Sequence, residues 1–129
     1  AKLRNLEVLH LNCKKVTDFK AINKLKNIRL LWATTNQIQF FSNLKNLENL
    51  RLDAGIDFKQ LENYPNLKIL KIAYSGERIE FKNFSNLQRL EELDLFYNPD
   101  KNPPISKQDL ENLRNMLPDT EVTLNQQRW

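Results

Sequence analysis

Five times in 129 residues the chain repeats one frame, Leu-x-x-Leu-x-x-Leu-x-Leu, and recurrence at that density demands a repetitive fold. The copies are Leu3, Leu6, Leu9 and Leu11; Leu25, Ile28, Leu31 and Ala33; Leu44, Leu47, Leu50 and Leu52; Tyr64, Leu67, Leu70 and Ile72; and Leu87, Leu90, Leu93 and Leu95. Their starts lie 22, 19, 20 and 23 residues apart. Within each copy a 3-residue spacing gives way to a 2-residue step, which reads as a turn running into a short strand. Val16, Phe19, Ile22 and Leu25 return to threes, a period that suits a 3₁₀ turn of about 3.0 residues better than an α-helix of about 3.6. A unit built this way has one apolar edge and can bury it only against a neighbouring unit, so the expected product is a solenoid.

Composition narrows the function. The chain has 22 Leu and 17 Asn but only 2 Gly, too few for a glycine-rich phosphate loop of the dinucleotide or P-loop kind. One cysteine, Cys13, excludes an intrachain disulfide and a multi-cysteine zinc site, and one histidine, His10, excludes a His-rich metal site. Asparagine, the Asn98-Pro99 junction and the β-branched and aromatic residues all weaken the alternative of a long-helix bundle. The net charge of +4 comes from basic residues scattered among acids, a solubilising pattern with no nucleic-acid stripe. No apolar run approaches the roughly 20 residues that span a bilayer.

These five registers resemble the leucine-rich repeat family, in particular its short class of about 22 residues per coil found in bacterial internalin-like proteins. The resemblance covers about residues 3 to 124. It implies an α/β fold: a right-handed solenoid with a parallel concave sheet and a 3₁₀ or irregular convex side. It also implies a non-enzymatic role in protein binding. The family's asparagine ladder falls three positions after the second strand leucine, where this chain has Lys14, Asn36, Gly55, Ser75 and Asn98. Two of the five match, so a continuous ladder in that column is not expected.

The repeats are assigned to residues 1–103 and a C-terminal cap to residues 104–129. Ser106 reads as a helix N-cap with Asp109 three residues on, and Leu110, Leu113, Met116 and Leu117 give an apolar helical face that Pro118 ends. Val122 and Leu124 repeat the strand step once more. At the other end only Ala1 and Lys2 precede the first frame, from which further upstream sequence is inferred.

Side chains alternate across a strand, so the residues around each Leu-x-Leu pair face away from the core and stack into columns. The first column holds Val8, Leu30, Asn49, Ile69 and Glu92; the second His10, Trp32, Arg51, Lys71 and Asp94; the third Asn12, Thr34, Asp53, Ala73 and Phe96. Trp32 stands out, because its neighbours Leu31 and Ala33 take the inward positions and leave the indole outside. It either anchors a partner or shields the face of irregular coils. The expected partner site is Val8, His10, Leu30, Trp32, Arg51, Lys71, Asp94 and Phe96. The graded charges, Arg51 and Lys71 and then Glu92 and Asp94, suit a partner of mixed charge or a plain solvated surface.

Catalytic readings find little support. His10 and Cys13 leave opposite faces of one strand and cannot make a nucleophile and base pair. Glu92 and Asp94 share a face but lack further oxygen-ligand spacing for a cation. Asn83-Phe84-Ser85 fits a glycosylation sequon, which an Asn-rich chain produces by chance. No cofactor is expected. The reading is a protein-recognition module, with the targeting or regulatory part of a larger bacterial effector or enzyme as the alternative, and with nucleic-acid binding through dispersed lysines as a third.

Overall fold

The computed structural model describes residues 3–12, 18–34, 41, 43–53, 58–73, 80–96, 98, 100, 105–125 and 127–128. Each Leu-x-Leu step forms a strand: β1 (Val8–Leu11), β2 (Leu30–Ala33), β3 (Asn49–Leu52), β4 (Ile69–Ala73) and β5 (Glu92–Phe96). A helix, α1 (Lys107–Met116), leads to β6 (Glu121–Leu124) and β7 (Gln127–Arg128). The sheet runs in chain order from β1 to β7, parallel through β6, and only the β6–β7 pair is antiparallel. Equivalent repeat positions lie side by side, so Leu9, Leu31, Leu50, Leu70, Leu93 and Val122 form one row of the core.

The back of the coils is 3₁₀, at Ile22–Lys24, Phe58–Asn63 and Phe81–Phe84. The 3-residue apolar period selects this geometry, because residues three apart eclipse in a 3₁₀ turn and can all face inward. Phe19 and Phe41 meet edge to face at 4.9 Å behind the sheet, and Phe58 meets Phe84 at 5.5 Å. These rings fill the convex side, where the coils are wider than leucine alone can span.

Tyr64 occupies the first leucine position of the fourth repeat and is wholly buried. Burial opposes the phenolate and pushes its pKa well above the ordinary tyrosine range. The unfolded chain then loses this proton at a lower pH than the folded one. The stability that Tyr64 contributes is full below the ordinary tyrosine pKa and declines as pH rises beyond it. Tyr64→Phe removes this component, and urea titrations between neutral and strongly alkaline pH would show a shallower alkaline decline than in the wild type.

Burial differs between the coils. The inward leucines of β2 to β5, Leu31, Leu50, Leu52, Leu70, Leu93 and Leu95, are completely buried, whereas Leu6, Leu9 and Leu11 of the first coil are half-buried and Leu3 is 61% exposed. Among the described residues the first coil packs against the second. At the far end α1 lies against the Phe81–Phe84 turn and sends Leu113 and Leu117 into the core. Ser106 caps α1 as its sequence implies, the Oγ accepting the Asp109 N–H at 3.0 Å. The β6–β7 turn begins at Asn125, whose φ of 50° lies in the left-handed region that asparagine tolerates.

Candidate functional site

The sheet presents the three columns in the order the repeat dictates. Val8 pairs with Leu30, Asn49, Ile69 and Glu92 in turn, and His10 with Trp32, Arg51, Lys71 and Asp94. Ala73 pairs with Phe96 in the third column. Trp32 is 37% exposed and Val8 52%, both on the solvent side of the sheet.

Around Trp32 the side chains hold one another. Its indole Nε1–H donates to Asp53 Oδ2 at 2.7 Å, and the other oxygen of Asp53 accepts Arg51 Nε at 3.1 Å. The Arg51 guanidinium lies 4.4 Å from the centroid of the Trp32 ring and 5.4 Å from that of Phe96. From β1, His10 meets Trp32 edge to face at 5.2 Å. The result is a row of His10, Trp32, Arg51 and Phe96, with Asp53 as a clasp beneath two of them. A cation over an aromatic face is attracted by the ring quadrupole, and the carboxylate fixes the angle of both partners. Trp32 is thereby held in one orientation before any partner arrives.

The rest of the expected site divides. Lys71 is tied to Glu92 at 2.7 Å, so the charge gradient expected across the face is partly neutralised between neighbouring columns. Asp94, expected on the open face, is corrected to a buried residue at 1% exposure, its Oδ1 accepting Thr123 Oγ1 at 2.8 Å. The cause is β6, which brings Thr123 into register beside Asp94. Val8 and Leu30 lie together at the apolar margin of the Trp32 row. Glu92 and Asp94 are thus separately engaged and do not form an open carboxylate pair. Asn83 of the glycosylation triplet is 9% exposed within its 3₁₀ turn, which withdraws the acceptor amide. Cys13 lies outside the described residues. Among the described residues there is no cluster of three potential metal ligands.

An asparagine ladder does exist, in a column that the family pattern did not indicate. Asn27, Asn46 and Asn66, each just before the second apolar position of its repeat, donate Nδ2–H to the carbonyls of Arg4, Lys26 and Lys45 at 2.8, 2.9 and 2.9 Å. Each acceptor precedes the equivalent asparagine of the previous coil, or Asn5 in the first. In the fifth repeat Arg89 replaces asparagine and donates to Asn66 Oδ1 at 3.0 Å. The signal was present in the sequence as Asn5, Asn27, Asn46 and Asn66 at one repeat position. Of the expected ladder column only Asn98 is described, and its Oδ1 accepts the local Asp100 N–H at 2.9 Å. Lys14, Asn36, Gly55 and Ser75 lie outside the described residues. Asn66→Ala would cost about 1 kcal/mol by loss of inter-coil bonds, read as a lower urea midpoint at unchanged slope.

A second column, Glu7, Arg29, Glu48, Lys68 and Glu91, runs along the entry side of the strands with alternating sign. Arg29 bonds Glu48 at 2.9 Å and Lys68 approaches Glu48 at 3.8 Å. The hydrogen bond from Arg29 holds the Glu48 carboxyl below the usual glutamate range. The same column ties the backbone: the carbonyls of Glu7, Arg29, Glu48 and Lys68 each accept two successive N–H groups of the following coil. Together with Asn27, Asn46, Asn66 and Arg89, the column residues Glu7, Arg29, Glu48 and Lys68 line a shallow polar trough.

One strand per coil, in-register apolar rows and a 3₁₀ back define this protein as a leucine-rich repeat solenoid. In fold it is similar to internalin C2 of Listeria monocytogenes, with a TM-score of 0.66 at 23% identity over 95% of this chain and 53% of that one. It is also similar to a leucine-rich repeat protein of Leptospira interrogans, with a TM-score of 0.53 at 24% identity over 93% of this chain and 37% of that one. The chain therefore spans about half of the internalin chain and less of the other. No family model and no curated protein sequence matches it.

Proposed function

We propose that this solenoid is a non-enzymatic protein-recognition module that receives its partner on the concave sheet, with Trp32 as the anchor. The observation that carries this reading is the held, part-exposed indole on the sheet face. A large aromatic surface fixed in advance loses little entropy on binding, and tryptophan and arginine are the residue types enriched where interfaces concentrate their energy. Val8, His10, Leu30, Arg51 and Phe96 surround the anchor. Lys71 reaches the partner through its pair with Glu92, and Asp94 contributes by supporting the sheet from within.

In this reading residues 1–103 carry the surface and residues 104–129 close the core. The engagement of the concave carboxylates within the face supports binding over catalysis. Arg29, Lys68, Lys71 and Lys82 each lie within ion-pair distance of an acid, which favours a protein partner over a polyanion. Capture from source-cell extract on wild type and on the folded Trp32→Ala variant tests the proposal. A partner retained equally by both would refute the assignment of the face.

A further inference from the structure

We infer that the concave face reads a carboxylate on its protein partner, and that Arg51 is the residue that reads it. The inference rests on the concave-face reading above and adds the chemistry of what is recognised.

A guanidinium carries five N–H donors in a rigid plane. Arg51 uses its Nε–H on Asp53, and among the described residues its Nη donors have no acceptor. The plane cannot turn freely. Trp32 lies 4.4 Å from its centre, Phe96 lies 5.4 Å away, and Asp53 fixes the Nε edge. Arg51 reaches Phe96 from β3 across β4, whose residue in register with Phe96 is only Ala73. Asp53 in turn is fixed by the Trp32 indole N–H, so both of its oxygens are engaged, one by Trp32 and one by the Arg51 Nε–H. What remains is a fork of Nη donors, set in orientation and part-exposed on the concave side.

Two parallel N–H donors in one plane match the two oxygens of a carboxylate, whereas an amide carbonyl offers a single oxygen. The aromatic walls also exclude water from the pair once a partner covers them, which strengthens a charge-assisted bond. An aspartate or glutamate side chain of the partner is therefore the group that fits.

The test uses blocked tripeptides, Ala-Glu-Ala and Ala-Gln-Ala with acetylated N-termini and amidated C-termini, titrated into the isotope-labelled chain. The Arg51 Nε–H and Trp32 indole resonances are followed by NMR. The glutamate peptide is expected to shift both in a saturable way, and the glutamine peptide to bind about tenfold more weakly. Arg51→Lys, which keeps the charge but loses the planar fork, should reduce the glutamate peptide to the glutamine level. Equal titration by the two peptides, or no saturable shift at Arg51, overturns the inference.

A second arm separates this failure from failure of the underlying reading. Random displayed peptides are selected on the wild-type chain and re-measured on Trp32→Ala. Peptides that lose affinity there and share an acidic position support the carboxylate. Those that lose affinity but share no acid overturn Arg51 as its reader and leave the concave site standing. Peptides indifferent to Trp32→Ala overturn the concave site itself.

Discussion

Leu50→Ala is expected to cost about 3 to 5 kcal/mol of folding stability, a large part of the roughly 5 to 15 kcal/mol that a domain possesses. Leu50 is completely buried in the central strand β3, between Leu31 and Leu70 of the flanking coils. Its removal leaves a cavity bounded by strands locked in register on both sides, so the surroundings cannot collapse to fill it. A solenoid adds a further reason. Each coil touches only its neighbours, and damage in the middle weakens two interfaces at once. Leu9 stands in the same row of the first coil but is only half-buried, and Leu9→Ala should cost less than half as much. Equilibrium urea unfolding of both variants decides the matter. Equal losses would contradict the uneven burial.

Trp32→Ala should weaken partner binding by about 2 to 4 kcal/mol while leaving the fold nearly intact. The fold survives because the ring lies outside the apolar rows and its neighbours Leu31 and Ala33 remain buried. Binding suffers twice. The contact surface of the indole is lost, and Asp53 and Arg51 lose the group that positions them. Trp32→Phe should therefore recover part of the loss, since it restores a ring for Arg51 but no N–H for Asp53. Calorimetric titration of the captured partner against the three chains measures this order. Identical affinity of wild type and Trp32→Ala would remove Trp32 from the interface.

The repeat made the sheet readable with its register: the first two columns match the strand pairs from β1 to β5 residue by residue, and Ala73 and Phe96 pair in the third. The period change is itself a packing constraint, since a one-residue slip would turn each leucine pair toward water. Exposure of individual column residues was less readable. Asp94 is covered because β6 places Thr123 beside it, and those residues lie 29 apart in the chain. The clasp of Trp32, Asp53 and Arg51 depends on rotamers, which no spacing rule predicts. The functioning asparagine ladder was visible in principle. The family pattern points to the column after the strand, whereas the carbonyls that accept these bonds lie before it.

Along β2 and β3 the side chains that pack the apolar rows and those that meet solvent alternate. Changes at Trp32, Arg51 or Asn49 leave the leucines untouched, and changes within the leucine rows leave the display in place. On the proposed reading, recognition would thus drift toward a new target by small steps without passing through unfolded intermediates. Beside β6 that independence ends, because Asp94 is both a column residue and an interior one.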